Sequence, residues 1–181
     1  MYLPGLEPPP PMADNHDGGG DEWYTPQAVL DAVAACDPEG IDLDPCYARG
    51  SLVKARHVID ARQGGDGLDD PWPGGGLVWC NPPYSDVAPW LRRCAAAAFD
   101  RPVIALVPVS VETAAWWSHV WAPRAVVLMP RGRVRFVGAD GVLHGSGRSA
   151  TCWIVWNETL ALRLRRELGL RGIESVAVRA V

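Results

Sequence analysis

Short apolar runs alternate with amphipathic segments along most of the chain. Runs of strand length predict strands at 40–44, 57–60, 77–80, 102–107, 124–129, 131–136, 151–156 and 173–178. Apolar residues at helical spacing predict helices near 26–36, 48–57, 86–94, 112–120 and 158–168. This alternation predicts an α/β fold with a doubly wound, mostly parallel sheet and helices on both faces. The last strands follow one another with few helices between them, which predicts an antiparallel edge.

Residues 1–20 differ in composition from the rest of the chain. They contain four consecutive prolines and three consecutive glycines, which is typical of a flexible tail. We expect order to begin near Asp21, so that residues 21–181 form a single domain. That length is sufficient for a sizeable core, because 48% of the chain is apolar.

Several function classes are disfavoured by composition. The chain has no apolar run near the length of about 18 residues that a membrane span needs, and its N-terminus lacks the basic and apolar regions of a secretory signal. Its five cysteines are scattered without a CxxC pair. They predict reduced, mostly buried thiols rather than a zinc site or a disulfide framework. We therefore expect a cytoplasmic protein.

The most informative motif is Asn81-Pro82-Pro83-Tyr84, which follows the apolar run 77–80. Two prolines cannot extend a strand ladder, and each fixes φ near about −65°, so they predict a rigid turn. Such a turn presents a side-chain amide, a backbone carbonyl and an aromatic ring. The Asn81 oxygen and the Pro82 carbonyl can accept the two N–H bonds of an exocyclic amino group, and the Tyr84 ring can stack on its base. The alternative is an ordinary turn that ends a strand.

Three further motifs lie at predicted strand ends or boundaries. LDP (43–45) ends the first strand, where a nucleotide-like cofactor would be held, and Gly-Ser at 50–51 allows close backbone approach. DGL (66–68), with Trp72 behind it, offers a carboxylate to an adenine amino group. WYTP (23–26) lies between the tail and the first helix. Each of these motifs alone also fits a plain connection, a solvated loop or a terminal anchor.

Charge is distributed unevenly along the chain. The first 100 residues carry 16 acidic and 6 basic side chains, whereas the rest carry 5 and 11. Arg131, Arg133 and Arg135 alternate at period two, so a strand would project all three from one face and Phe136 from the other. Three guanidiniums in a row suit phosphates or guanine edges. The alternative is a charged edge strand that resists aggregation.

Together and in this order, the motifs resemble the small phage-type Dam family of DNA N6-adenine methyltransferases. The resemblance extends from Trp23 to about Trp156 and rests on WYTP, LDP, DGL with its trailing Trp, NPPY and Gly132-Arg133-Val134-Arg135-Phe136. NPPY alone also occurs in methyltransferases of RNA bases and of protein glutamine, so the combination carries the specificity. Where such enzymes usually have a Gly-rich loop, this chain has only DPCYARGSL at 44–52.

The resemblance implies a Rossmann-like, S-adenosylmethionine-dependent methyltransferase fold. It also implies which residues bind S-adenosyl-L-methionine, namely Trp23, Thr25, Pro26, Asp44, Pro45, Asp66 and Leu68. The implied catalytic residues are Asn81, Pro82, Pro83 and Tyr84, and the implied DNA-binding residues are Arg131, Arg133, Arg135 and Phe136. Direct methyl transfer to an adenine amino nitrogen requires no metal and no covalent enzyme intermediate.

The resemblance further implies a role in phage or prophage DNA modification within the bacterial host cytoplasm. Because the chain has no room for a separate target-recognition domain, specificity is expected from loops at 62–76, 110–122 and 131–149. Two alternatives stay open. One is methylation of another amino group: cytosine N4, an RNA base or a protein glutamine. The other is a non-catalytic DNA-binding relative, suggested by the irregular loop at 46–51.

Overall fold

The computed structural model of the protein describes residues 24–138 and 150–180. Within them, the elements in chain order are α1 (Gln27–Ala34), β1 (Ile41–Tyr47), β2 (Ala55–Asp60), β3 (Leu77–Cys80), α2 (Ala88–Ala97), β4 (Val103–Pro108), α3 (Ala114–Trp116), β5 (Val126–Pro130), β6 (Thr151–Val155), α4 (Glu158–Leu170) and β7 (Ser175–Val178). A 3-10 turn at Ala61–Gln63 follows β2, and a π-helical turn at Trp117–Trp121 continues α3. The predicted tail at 1–20 and the candidate Trp23 lie outside the described residues.

The seven strands form one sheet in the order β2-β1-β3-β4-β6-β5-β7. The pairings among β2, β1, β3 and β4 are parallel, whereas β4–β6, β6–β5 and β5–β7 are antiparallel. The α/β class is therefore confirmed, but the expectation of a mostly parallel sheet is wrong. β6 lies between β4 and β5 and is antiparallel to both. Antiparallel pairing therefore accounts for three of the six strand pairings and is not confined to a single pairing at the edge of the sheet.

Helices cover both faces of the sheet. On one face, α1 and α4 pack against strand side chains that include Trp79 and Trp153. On the other face, α2 and α3 pack against strand side chains that include Val78 and Ile154. Neighbouring strand residues therefore point into opposite cores, as the two-residue period of a strand requires. The sheet is the middle layer, and its edges are left for loops.

The connection from β1 to β2 contains no helix, so the predicted helix at 48–57 is wrong. Residues 48–54 are extended or turn-like, and β2 already begins at Ala55. The reason is distance. The chain must return along the length of β1 before a parallel strand can start, and a helix advances only about 1.5 Å per residue against about 3.3 Å for extended chain. Only the extended form allows so short a segment to make the crossing.

The predicted strand at 131–136 is also wrong. β5 ends at Pro130, which pairs with the first residue of β7, Ser175. Beyond that point the N–H of Arg131 donates to the carbonyl of Glu174 at 2.7 Å, but residues 131–136 belong to no strand. Alternation nevertheless persists without a ladder: Val134 and Phe136 are buried, whereas the three arginines at 131, 133 and 135 are exposed.

A buried ion pair stabilises the amino edge of the sheet, that is, the edge at which the parallel strands begin. The Asp42 carboxylate in β1 accepts hydrogen bonds from the N–H of Gly75 at 3.0 Å, the N–H of Gly76 at 2.8 Å and the Arg101 guanidinium at 3.0 Å. Burial opposes ionisation of Asp42, but the Gly76 N–H, the Arg101 charge and the Gly75 N–H outweigh it and lower its pKa. Arg101 also donates to the carbonyl of Pro73 at 3.0 Å. The loop before β3 is thereby fixed to β1.

Substituting Arg101→Met tests this ion pair. The change removes the nearest cation from a buried carboxylate and leaves only the half-exposed Arg56, at 3.8 Å, as a charged arginine partner. We therefore expect the free energy of unfolding to fall by up to about 3–5 kcal/mol in urea titrations at pH 7. Arg179→Met is the matched control, because Arg179 and its partner Glu158 are both largely exposed. Such a surface pair contributes at most about 1 kcal/mol. Equal losses in the two variants would show that the Asp42–Arg101 pair is no more important than a surface contact.

Candidate active site

A polar stretch of β1 and the polar turn after β3 lie side by side towards the carboxyl edge of the sheet. β1 carries Asp44 and Pro45 near its carboxyl end, and Asn81 follows the last residue of β3. These strands pair in parallel, with Ile41 opposite Leu77. From β1 the chain continues to β2 on one side, and it later returns to β3 on the other. In open α/β sheets such a reversal of strand order opens a crevice at the carboxyl ends, where ligands bind.

The Asn81 amide is held at one end and unpaired at the other. Its Nδ2 donates to the hydroxyl oxygen of Thr25 at 3.3 Å. Its Oδ1 is buried and has no hydrogen-bond partner among the described residues. An unpaired buried amide oxygen is costly, by about 1–3 kcal/mol, and native structures rarely tolerate one without a reason. This atom is therefore an acceptor available to a donor that the chain itself does not supply.

The two aromatic candidates, Tyr84 and Phe136, contact each other. Their ring centroids are 6.2 Å apart and the rings are nearly perpendicular, at 83°. In this arrangement the two rings cannot sandwich a planar base between parallel faces; one can stack on it while the other meets its edge. The Tyr84 hydroxyl is buried without a partner among the described residues, and burial raises its pKa above the usual value. Phe136 is itself mostly buried, at 5% exposure.

Asp44 is a buried carboxyl group in the middle of β1. The prediction that LDP ends this strand is wrong, because the pairing with β2 continues to Tyr47. The N–H of Cys46 donates to its Oδ1 at 2.9 Å. Burial raises the pKa of Asp44 to about 7, and the Cys46 hydrogen bond offsets only part of that effect. The group is therefore poised to change its charge near neutral pH, and a cationic or hydroxyl-bearing ligand would favour its ionised form.

The DGL turn packs directly on β1 at Pro45. A Cβ on Gly67 would lie 2.1 Å from the carbonyl oxygen of Pro45, so only glycine permits this approach. The Trp72 indole N–H donates to the Gly67 carbonyl at 2.8 Å, which fixes the turn from behind. Asp66 is exposed, and its Oδ1 accepts from the N–H of Leu68 at 2.8 Å. Its second oxygen is the atom that can still accept from a ligand.

Tyr24 joins three segments around a cleft beside these turns. Its backbone exchanges hydrogen bonds with Val137 at 2.8 and 2.9 Å, and its hydroxyl donates to the Arg49 carbonyl at 2.7 Å. Gly50 has φ +98°, and a Cβ there would lie 2.8 Å from the Tyr24 hydroxyl oxygen, so no other residue fits. The cleft has a volume of about 380 Å³ and is lined by Tyr24, Arg49, Gly50, Leu52, Arg62, Val137 and Gly138.

Asp60 also lies at this edge, although no sequence motif marked it as a candidate. It ends β2 and pairs in register with Tyr47 of β1. Its carboxylate accepts from the N–H of Arg62 at 2.9 Å and from the Gln63 side chain at 3.0 Å. The available signal was an apolar strand ended by an acid, which is the same pattern that singles out Asp44.

The cysteines near the site are buried thiols rather than nucleophiles. The Sγ atoms of Cys46, which is half-buried, and of Cys80, which is buried, are 3.5 Å apart, and all five cysteines are free. Burial raises the pKa of Cys46 to about 11 and holds that of Cys80 well above its usual value. Since the thiolate is the reactive form, these groups form an apolar floor instead of attacking a substrate.

The arginine candidates lie between β5 and the Tyr24–Val137 bridge. Arg131 forms an exposed ion pair with Glu174 at 3.0 Å. Arg133 and Arg135 are exposed and precede Phe136, so they stand beside the aromatic pair along the chain. The segment thus brings positive charge to the same edge as the NPPY turn.

The sequence was also compared with known proteins. A family model described as DNA N-6-adenine-methyltransferase (Dam) matches residues 13–166. No match was found among curated proteins or among solved structures. Within residues 24–138 and 150–180, no group of three or more His, Cys, Asp or Glu side chains could hold a metal ion. In the same ranges no helix is long and apolar enough to cross a membrane.

The pH dependence of stability tests the burial of Asp44. Its folded-state pKa is about 7 against an ordinary value of 3.8, so the folded protein binds this proton more tightly than the unfolded chain does. The stabilisation is present below about pH 4 and is lost as the pH rises through about 7. Asp44→Asn keeps the Oδ1 acceptor but cannot ionise. We expect urea titrations to show that wild type loses up to roughly 4 kcal/mol relative to this variant between pH 4 and pH 8. A constant difference across that range would contradict the burial.

Proposed function

Since this chain belongs to the DNA N-6-adenine-methyltransferase (Dam) family, we propose that it transfers a methyl group from S-adenosylmethionine to the N6 amino group of adenine in DNA. We propose further that it does so on a Rossmann-like fold, in phage or prophage DNA modification within the bacterial cytoplasm. The unpartnered, buried Oδ1 of Asn81 is the observation that carries this proposal. This oxygen lacks a hydrogen-bond donor. A target amino group, which carries two N–H bonds and accepts the methyl group, would supply one.

The residues at the carboxyl edge fit the chemistry of S-adenosylmethionine. The ribose hydroxyls and adenine amine of that cofactor need acceptors, which the carboxylates of Asp44, Asp66 and Asp60 provide. Its carboxylate needs a cation, and Arg49 and Arg62 line the adjacent cleft. The proposed cofactor pocket comprises Trp23, the backbone of Thr25, Pro26, Asp44, Pro45, Asp66 and Leu68, while the Thr25 hydroxyl contacts Asn81. When bound, the cofactor supplies an electrophilic methyl group.

The NPPY turn performs the catalytic work in this proposal. Asn81 Oδ1 and the Pro82 carbonyl accept the two N–H bonds of the target amino group. These hydrogen bonds strengthen as the nitrogen becomes tetrahedral, so they stabilise the transition state more than the ground state. Pro82 and Pro83 hold both acceptors rigid, and the turn does not reorganise during the reaction.

Tyr84 and Phe136 capture the target base. An adenine inside a duplex is beyond the reach of this edge, so it must leave the stack at a cost of a few kcal/mol. Stacking on the Tyr84 ring recovers about 1–3 kcal/mol. Phe136, perpendicular to Tyr84, then meets the edge of the base. Arg133 and Arg135, which precede Phe136, contact the phosphates of the flanking DNA.

Substitutions in the NPPY turn separate chemistry from base capture. Asn81→Ala should lower the single-turnover methylation rate by about 10²–10³, as the loss of one preorganised hydrogen-bond partner does elsewhere. Its affinity for S-adenosylmethionine should be unchanged in calorimetry. Tyr84→Ala should instead weaken DNA binding by about 1–3 kcal/mol. The product is identified by nucleoside mass spectrometry.

Asn157→Ala is the matched control for Asn81→Ala. Asn157 caps α4 at the opposite edge of the sheet, where its Oδ1 accepts from the Leu160 N–H at 2.9 Å. Its loss should cost about 1 kcal/mol of stability and leave methylation unchanged below the unfolding transition. If Asn81→Ala methylates DNA at the wild-type rate, the NPPY turn is structural and the proposed function fails. N4-methylcytosine or a methylated RNA base as the product would favour a different amino group.

The arginine segment is tested by the salt dependence of DNA affinity. Each lost phosphate contact should reduce the slope of log K against log salt by about one. Arg133→Ala/Arg135→Ala should therefore reduce the slope by about two. Arg131→Ala is measured as a separate variant, because Arg131 forms an exposed ion pair with Glu174. Arg179→Ala, at the opposite edge, is the control, and a double variant that matches it would identify the segment as a solvated edge.

A further inference from the structure

Thr25 lies on a segment that is fixed on both sides. Before it, Tyr24 is joined to Val137 by two backbone hydrogen bonds. After it, Pro26 leads into α1, and the Pro26 carbonyl accepts from the N–H of Val29 at 3.0 Å. Thr25 itself is only 3% exposed. Its side chain therefore has little freedom to move relative to the sheet.

The hydroxyl of this residue contacts the catalytic amide of the proposed function. Thr25 Oγ1 accepts from Asn81 Nδ2 at 3.3 Å, across 56 positions of sequence. Among the described residues it is the contact that ties the Asn81 side chain down, because Oδ1 has no partner. The family resemblance implies that Thr25 belongs to the cofactor pocket, and in the structure its side chain contacts the NPPY turn.

We propose that Thr25 is a positioning residue for the methyl transfer: its hydroxyl oxygen holds the Asn81 amide in the plane that presents Oδ1 to the target amino group. This inference rests on the proposed function, because it assigns a role relative to that amino group. It concerns the orientation of an acceptor, so Thr25 touches neither the methyl group nor the base.

The chemistry of an amide explains why such a residue is needed. The two ends of an Asn side chain are almost the same size, but one accepts hydrogen bonds and the other donates. A target amino group presents N–H, so only the oxygen end serves it. A threonine hydroxyl can accept or donate, and it therefore does not choose the end by itself. It supplies an acceptor for Nδ2 that remains satisfied when Oδ1 binds the base, and it thereby fixes the amide plane.

Small errors in that plane are expensive. A displacement of about 1 Å in a reacting group can cost about 10²-fold in rate, even when the substrate still binds. Without the Thr25 oxygen, the buried Nδ2 would have to find another acceptor, and the amide would rotate towards it. The expected defect therefore appears in the chemical step and not in the affinity for DNA or cofactor.

The test combines Thr25→Val, which keeps the shape and removes the hydroxyl, with Thr25→Ser, which keeps the hydroxyl. Thr25→Val should slow single-turnover methylation by about 10–100-fold while the dissociation constants for DNA and S-adenosylmethionine change by less than about threefold. Thr25→Ser should stay within about threefold of wild type. In an Asn81→Ala background, Thr25→Val should cause no further loss, because the group it positions is already absent.

A second readout is independent of turnover. The side-chain NH₂ signal of Asn81 is assigned in nitrogen-edited NMR spectra as the signal that Asn81→Ala removes. We expect Thr25→Val to shift that signal and Thr25→Ser to leave it near its wild-type position. If Thr25→Val fails to fold, Thr25→Ala is measured in the same way, with Thr25→Ser as its reference.

Three results would overturn the positioning role. They are a wild-type rate in Thr25→Val, an equal fold-loss from Thr25→Val with and without Asn81, and an unshifted Asn81 NH₂ signal. The second result would assign Thr25 to the cofactor or to stability. Failure of the proposed function is recognised separately, by Asn81→Ala methylating at the wild-type rate, and the NMR result reports the Thr25–Asn81 contact in either case.

Discussion

The parallel ladder between β1 and β3 is the constraint on which the site depends. These strands are far apart in sequence, but their pairing sets Ile41 opposite Leu77 and Leu43 opposite Val78. The turns that follow them must therefore emerge side by side at one edge. A shift of one residue in either strand would turn every side chain of that strand to the opposite face of the sheet.

Two of the buried polar atoms that the fold leaves unpaired lie just beyond the carboxyl end of β3. Asn81 Oδ1 and the Tyr84 hydroxyl are both buried without partners among the described residues, although Asn81 directly follows the well-packed strand β3 and Tyr84 is the fourth residue after it. At the amino edge the opposite holds, since the Asp42 carboxylate is fully engaged by Arg101 and two backbone N–H groups. The acidic group at the amino edge is thus satisfied by the chain itself, whereas the carboxyl edge retains unused hydrogen-bonding capacity for a ligand.

Local patterns predicted the parts of the fold that depend on local forces. The apolar run at 77–80 is β3 to the residue, and helical spacing located α4 to within a turn. The failures arise where distant residues decide. Buried and exposed side chains do alternate at 131–136, but a strand also needs a hydrogen-bonded neighbour. The ladder between β5 and β7 ends where Pro130 pairs with Ser175, the first residue of β7, so residues 131–136 have no strand of β7 to pair with. The site divides in the same way: its motifs are visible in sequence, whereas the contacts Asn81–Thr25 and Gly67–Pro45 exist only after the chain has folded.

The extended crossover between β1 and β2 has a consequence for how the chain tolerates length changes. Eight Cα steps from Tyr47 to Ala55 span at most about 26–29 Å, and the return along β1 uses most of that. Deleting one residue from 48–54 would pull on the carboxyl end of β1 or on the register of β2. An inserted residue could bulge outward at little entropic cost, since loop closure depends only weakly on length. The segment therefore tolerates insertions better than deletions. An engineered tag or label placed there should be added to the chain rather than replace residues in it.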